Sequence, residues 1–303
     1  MAGCLIKTIR PGILVLIPLA ILFPGETHEN HETVARRWVI PDKDTGGDPD
    51  EVMAPDAPEQ EFIKLQKLDW KQVFFDPGTS DWHEKWALDG LKARVFNTPQ
   101  GMEFYAGPVP AEDSSHAVLW TRQIFSGSVK IEYEYTRLDA ATKYVNILYI
   151  QATGSGLGDF HEDIFEWSDL RRVPAMRMYF NHMNTYHISY AAYANTNLES
   201  PEDYIRVRRY MPESGRGLEV TDLAPDYFRT GLFKPGVRHE ITVIKHGNDL
   251  YMEIAAPDKK MLCHWKNTGL PPIEKGRVGL RHMASRNARY KNFRVAGLTE
   301  GGP

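Results

Sequence analysis

The chain has 303 residues, 36 basic against 40 acidic, and 11% of its residues are aromatic. Nucleic-acid binding calls for a basic surplus or stripe; the slight acidic excess supplies neither, so a nucleic-acid partner is not expected. With only Cys4 and Cys263, a small disulfide-stapled scaffold is excluded, and a chain this long can bury a core that needs no staples.

At the N-terminus, Lys7 and Arg10 precede an apolar run from Ile13 to Phe23 that only Pro18 interrupts. A basic flank before a short apolar core reads as a secretory signal over residues 1–24, and the run is short for a bilayer span. The mature chain is then expected in the periplasm or outside the cell, with 34 basic residues once Lys7 and Arg10 are removed. No small-x-small triplet follows Phe23, so an uncleaved signal anchor is the alternative and the one route to a membrane. Residues 25–61 are polar, acidic and proline-bearing, with the Gly/Asp-rich centre Asp44-Thr45-Gly46-Gly47-Asp48-Pro49-Asp50. No apolar periodicity survives there, which predicts a flexible leader or an arm lying on the domain. His28 and His31 lack further ligands at zinc spacing and read as solvated.

From Trp70 the pattern becomes short strands separated by turn residues. Val129 to Tyr135 alternates strictly, which places Val129, Ile131, Tyr133 and Tyr135 on one buried face. Tyr144 to Gln151 is nearly continuous apolar sequence, as in a strand buried on both sides. His239 to Lys245 and Leu250 to Ala255 flank His246-Gly247-Asn248-Asp249, a hairpin signal. Cys263 lies in the apolar stretch Met261 to Trp265 and reads as a small buried hydrophobe. Arg277 to His282 and Tyr290 to Val295 supply closing strands. Two long connections, Gly154 to Val173 and Ala194 to Lys234, are expected to be functional or to wrap the fold. The whole predicts one all-β domain of two antiparallel sheets over residues 62–298, about 235 residues, with a tail at 299–303.

Several stretches resemble known proteins. Gly276-Arg277-Val278-Gly279-Leu280-Arg281-His282, followed by Tyr290-Lys291-Asn292-Phe293-Arg294-Val295, resembles the closing strands of the concanavalin A-like lectin/glucanase superfamily. Asp81 to Trp86, Gly158 to Trp167 and Tyr179-Phe180-Asn181-His182 are similar to the YesU-like bacterial family of unknown function. The resemblance runs from about Leu68 to Ala296. It implies a β-sandwich of the jelly-roll type and a role with plant or algal polysaccharide, often rich in uronic acid. Superfamily members often hold a structural calcium through an aspartate before the final Asn-Phe-Arg-Val; Lys291 stands there instead, which puts a calcium at that site in doubt.

Two constellations carry chemistry. Glycosidases flank the scissile bond with two carboxylates. Asp163 and Glu166 match half of the glucanase pattern, but His161 replaces the nucleophile and Glu162 is one residue out of phase, which turns it to the other face. A polar loop whose carboxylates pair with Arg171 and Arg172 is the bland alternative. The second constellation reads Ala175 to His182 as a strand with Arg177, Tyr179 and Asn181 on one face, beside a strand presenting His187, Ser189 and Tyr193. Arg177 and Asn181 could hold a uronate while His187 and Tyr179 move protons, with Gln151 and Arg122 joining from neighbouring strands. That is the equipment of β-elimination. His161, His182, His187 and His282 match no metal-site spacing. Arg206-Val207-Arg208-Arg209 is a short basic patch, either a solvated face or a means of capturing an acidic polymer. The leading expectation is a lyase acting on an anionic polysaccharide or oligosaccharide; a glycoside hydrolase using Asp163 and Glu166 and a non-catalytic carbohydrate-binding module are the alternatives.

Overall fold

The computed structural model describes residues 56–195 and 202–298, all within one compact unit, Arg36–Pro303. The signal segment, most of the predicted leader and the tail lie outside the described residues. The chain folds into two antiparallel sheets, as the alternation predicts. The first contains β1 (Trp70–Asp76), β3 (Arg94–Thr98), β4 (Gly101–Tyr105), β6 (Val129–Arg137), β11 (Arg238–His246), β12 (Asp249–Ala256), β13 (Lys259–Lys266) and β15 (Asn287–Leu298). Its order is β13-β12-β11-β6-β15-β4-β3, and β1 pairs with the C-terminal half of β15. The second contains β2 (Trp86–Asp89), β5 (Ala117–Ser126), β7 (Tyr144–Gly154), β8 (Met183–Tyr193), β9 (Asp203–Tyr210), β10 (Asp222–Phe228) and β14 (Lys275–His282). These run in the order β10-β9-β8-β7-β14-β5-β2.

Side-chain alternation explains the layering. In β6 every second residue from Val129 to Arg137 is buried, and Val129, Ile131, Tyr133 and Tyr135 meet Leu148, Ile150, Ile188, Val278 and Leu280 of the facing sheet in the main core. β7 is buried on both sides along most of its length, because its second face is covered as well. The predicted hairpin closes between β11 and β12, with Lys245 opposite Leu250 and His246 opposite Asp249. Cys263 is buried in the core and its thiol is pushed far above the usual range by that burial.

Three expectations change. The predicted connection from Ala194 to Lys234 contains two strands, β9 and β10; Ile205 and Val207 alternate with arginines there and face the core. The leader ends in a helix, α1 (Ala57–Gln66), whose Phe62 and Leu65 pack on Ile244 and Tyr251. Asp56 caps it by accepting from the Glu59 amide at 2.9 Å. Finally, the predicted strand Ala175 to His182 is a helix, α2 (Met176–His182).

Candidate functional site

The outer face of the seven-stranded sheet gathers most of the residues that the sequence nominates. On β8, Tyr186, Ile188 and Tyr190 enter the core, so His187 and Ser189 point outward. On β9, Ile205 and Val207 point inward and leave Tyr204, Arg206, Arg208 and Tyr210 outside. The register sets His187 between Tyr149 and Arg208, and Ser189 between Ile147 and Arg206. β10 extends the rows, with Asp222 opposite Arg208 and Phe228 opposite Tyr204.

Half of this face is closed. The segment after β7 folds back over β14, β5 and β2, and its Ile164, Trp167, Tyr179 and Met183 form a second core with Val118, Trp120, Ile147 and Tyr149. Its anchor is Asp89, a buried carboxylate. Asp89 Oδ2 accepts from Trp120 Nε1 at 2.7 Å, Arg171 Nε at 2.7 Å and the Tyr179 hydroxyl at 3.1 Å. Arg171 is fully buried, and its guanidinium also lies 4.2 Å from the Trp167 ring centre. Trp120, Tyr149 and Tyr179 form a near-parallel stack, with centroids 5.4 and 6.0 Å apart at the two Tyr149 contacts. Gly279 makes the stack possible, because a Cβ there would sit 2.4 Å from the Trp120 ring.

The other half, over β8, β9 and β10, is less covered. Arg206 Nε donates to Asp226 Oδ2 at 2.8 Å, and Arg208 lies 2.9 Å from Asp222. Arg206 also sits 5.0 Å from the Tyr204 ring centre, and Tyr204 contacts Phe228 at 6.2 Å. Phe228 is 47% exposed. Deeper in, the His187 imidazole bridges two hydroxyls: Nδ1 to Tyr210 and Nε2 to Ser189 Oγ at 2.6 Å. Burial, and then the positive charges of Arg208, Arg281 and Arg206, hold His187 well below the usual histidine range. It is therefore neutral at pH 7, and its surroundings oppose its taking up a proton.

The predicted lyase set is not brought together. In α2, Tyr179 turns inward and is wholly buried against Asp89, whereas Arg177 and Asn181 are exposed. A helix advances 100° per residue, so the every-other-residue face that a strand would give does not form. Burial and the nearby Asp89 charge raise Tyr179 well above the usual tyrosine range. Gln151 is buried and donates from Nε2 to the carbonyl oxygens of Phe125 and Gly127 at 3.2 and 3.0 Å. Arg122 is exposed, and its Nε donates to the His83 carbonyl at 2.8 Å. Neither joins His187.

The carboxylate pair also separates by role. Asp163 is gripped by Arg277, at 2.9 Å from Nε and 2.7 Å from Nη2, and accepts from the Phe165 amide at 3.0 Å. The Arg277 guanidinium holds the Asp163 carboxyl below its ordinary range. Its partner is thus Arg277 rather than Arg171 or Arg172. Glu166 is exposed, with His161 Nδ1 3.8 Å from its carboxylate. Among the described residues, no three His, Cys, Asp or Glu side chains gather as a metal site.

Asp89, Trp120, Tyr149, Tyr210 and Arg281 were not singled out from sequence. A strand-face reading of Tyr204-Ile205-Arg206-Val207-Arg208 would have found the β9 residues, since polar and apolar side chains alternate there.

The family model described as a domain of unknown function (DUF1961) matches residues 79–295. The chain belongs to this family. No curated protein matches it. Among solved structures, it is similar to a protein of unknown function with a galectin-like fold from Bacillus subtilis, at 20% identity and TM-score 0.56, over 75% of this chain and 97% of that one. It is also similar to winged bean acidic lectin complexed with methyl-α-D-galactose, at 11% identity and TM-score 0.50, over 77% of this chain and 100% of that one. At these identities the likeness establishes the lectin-type β-sandwich, and the DUF1961 assignment itself carries no activity.

Proposed function

We propose that this DUF1961 chain binds carbohydrate on the outer face of β8, β9 and β10. One observation carries the reading: the Tyr204–Phe228 ring pair lies beside two guanidinium–carboxylate pairs, Arg206–Asp226 and Arg208–Asp222, all on paired strands. Sugars offer C–H faces to aromatic rings and hydroxyls to charged hydrogen-bonding groups. Strands hold such groups in place before the ligand arrives, which lowers the entropy cost of binding. The winged bean lectin, which holds a galactoside on a related sandwich, supports the reading by analogy of fold. Titration calorimetry against a panel of neutral and acidic oligosaccharides tests it. At least one ligand should bind, and Tyr204→Ala should weaken it at least tenfold; no binding across the panel, or an unchanged Tyr204→Ala protein, would overturn it.

A second reading keeps the enzyme. In it a uronate polymer is cleaved by β-elimination, and the observation in its favour is the neutral imidazole of His187 between Tyr210 and Ser189. His187 would accept the C5 proton, Tyr210 would take the place given to Tyr179, and Arg208 that given to Arg177. Burial, and then the charges of Arg208, Arg281 and Arg206, weigh against His187 as a base, so binding is preferred. Product absorbing near about 235 nm, the band of a conjugated unsaturated uronate, and lost in His187→Ala, would reverse that preference. The YesU-like resemblance belongs to this finer reading, as does export from the basic flank and apolar run before residue 24, which N-terminal sequencing of the mature chain checks.

A further inference from the structure

We propose that Arg281 reads an acidic group on the bound glycan, a carboxylate or a sulfate ester. This rests on the carbohydrate reading and specifies the class of sugar. Arg281 lies on β14, opposite Ile147 of β7, and points to the outer face beneath α2. Among the described residues, three arginines are wholly buried: Arg171, Arg281 and Arg286. Arg171 has the Asp89 carboxylate and Arg286 has that of Asp139. Arg281 has no carboxylate partner among the described residues. Its Nη2 donates to the Pro174 carbonyl at 2.7 Å, and its guanidinium lies 4.4 Å from the Tyr179 ring centre. Nε and Nη1 make no well-formed hydrogen bond, and the Tyr149 hydroxyl on the neighbouring strand, which lies close to both Arg281 and Tyr210, makes none either.

A buried guanidinium with two unpaired N–H groups is unfavourable and is expected to find a partner. Two N–H groups of one planar guanidinium match two oxygens of a carboxylate or sulfate. Asp89 does not serve: its ion-pair partner is Arg171, and it makes no ion pair with Arg281. The same face also carries Arg206 and Arg208, whose charges, with that of Arg281, add to burial in lowering the basicity of His187. α2 covers Arg281: its Tyr179 is wholly buried and bonded to Asp89, while Met178 and Phe180 are partly buried and no side chain caps the helix N-terminus. Phe180 meets Tyr210 edge-on at 6.4 Å. Reaching Arg281 requires α2 to lift from that contact and to give up the Tyr179–Asp89 hydrogen bond, which would connect the ligand face on β9 with Tyr149 and Arg281.

The test compares the full chain with Arg281→Met in thermal-shift and calorimetric titrations at constant ionic strength. The probes are galacturonate against galactose, glucuronate against glucose, and a sulfated against an unsulfated galactan oligosaccharide. In the wild type the acidic member of at least one pair should bind at least tenfold more tightly. Arg281→Met should abolish that preference and leave the neutral sugar's affinity unchanged. The carboxylate and sulfate arms identify which acid is read. Without ligand, Arg281→Met should be no less stable than wild type, because an unpaired buried charge has been replaced by an apolar side chain. A wild type that binds neutral and acidic members alike overturns the role of Arg281 and leaves the carbohydrate reading standing. A preference surviving in Arg281→Met does the same, as does a less stable variant in a wild type without acid preference, which would mark Arg281 as structural. Binding of no sugar by either protein overturns both.

Discussion

Asp89→Asn tests whether the covering segment is clamped to the sheet as described. The carboxylate receives three side-chain donors, and its charge partner Arg171 is 0% exposed. Replacing the carboxylate by an amide keeps the shape but leaves Arg171 as a buried unpaired charge. Breaking a buried ion pair from one side costs about 3–5 kcal/mol. In a domain of this size each kcal/mol moves the unfolding midpoint by about 2–4 °C, so the midpoint should fall by about 6–20 °C. The loss should shrink when the charge is removed from both sides, in Asp89→Asn/Arg171→Met, because no orphan cation remains. Chemical and thermal unfolding followed by circular dichroism gives both numbers. An Asp89→Asn protein within about 1 kcal/mol of wild type, or a double variant as unstable as the sum of the singles, would refute the clamp.

Other outcomes follow from the same structure. Gly279→Ala should destabilise by about 1–3 kcal/mol, the cost of overpacking, because its new Cβ meets the Trp120 ring at 2.4 Å; equilibrium unfolding checks it. His282 is wholly buried, accepts from the Tyr290 hydroxyl at Nε2 and donates from Nδ1 to the Arg286 carbonyl. Burial first, and then the Arg286 charge, lower its pKa from 6.5 to about 3. The unfolded chain therefore binds this proton more readily than the folded one. The contribution is complete above about pH 6.5 and is lost toward pH 3, by about 1.4 kcal/mol per pH unit for one proton; the stability–pH slope of His282→Gln should be shallower there. Asp163→Asn should cost about 1–2 kcal/mol by breaking the Arg277 fork without altering sugar affinity. Because the Asp163 carboxyl is held below 3.8, its contribution is present above that value and lost as pH falls through the depressed one. Cys263, in a Cys4→Ser background, should resist a thiol reagent until the protein unfolds, since it is buried and its thiolate is strongly disfavoured.

Local pattern carried much of the fold. Val129 to Tyr135 could be assigned a face because period-two alternation permits one burial solution, and the β11–β12 hairpin because Gly247-Asn248 suits a tight turn. Ala175 to His182 misled because Met176, Tyr179, Phe180 and Met183 also fit helical spacing, and a stretch of eight residues does not separate the two periods. Its helix is decided by Tyr179 finding Asp89, 90 positions earlier. The site was legible only in part. Alternation placed His187 and Ser189 together on β8, but the register irregularity after Ser189 turns the predicted third member, Tyr193, to the other face, where its hydroxyl accepts from Arg137 at 2.8 Å. Asp89 and Arg281 gave no sign, because their meaning arises from strand pairing and from the segment that covers them. Arg208 was visible as a basic patch, but its position beside His187 is set by the β8–β9 register.

The most direct test of the ligand face is a chemical-shift map of the isotope-labelled chain titrated with its best oligosaccharide from the panel. Backbone and side-chain signals of Tyr204, Arg206, Arg208 and Phe228 should move together, with smaller changes at Ser189 and Tyr210. Shifts confined to the far end of the sheet, around β2, or to the outer surface of the eight-stranded sheet, would contradict the assignment.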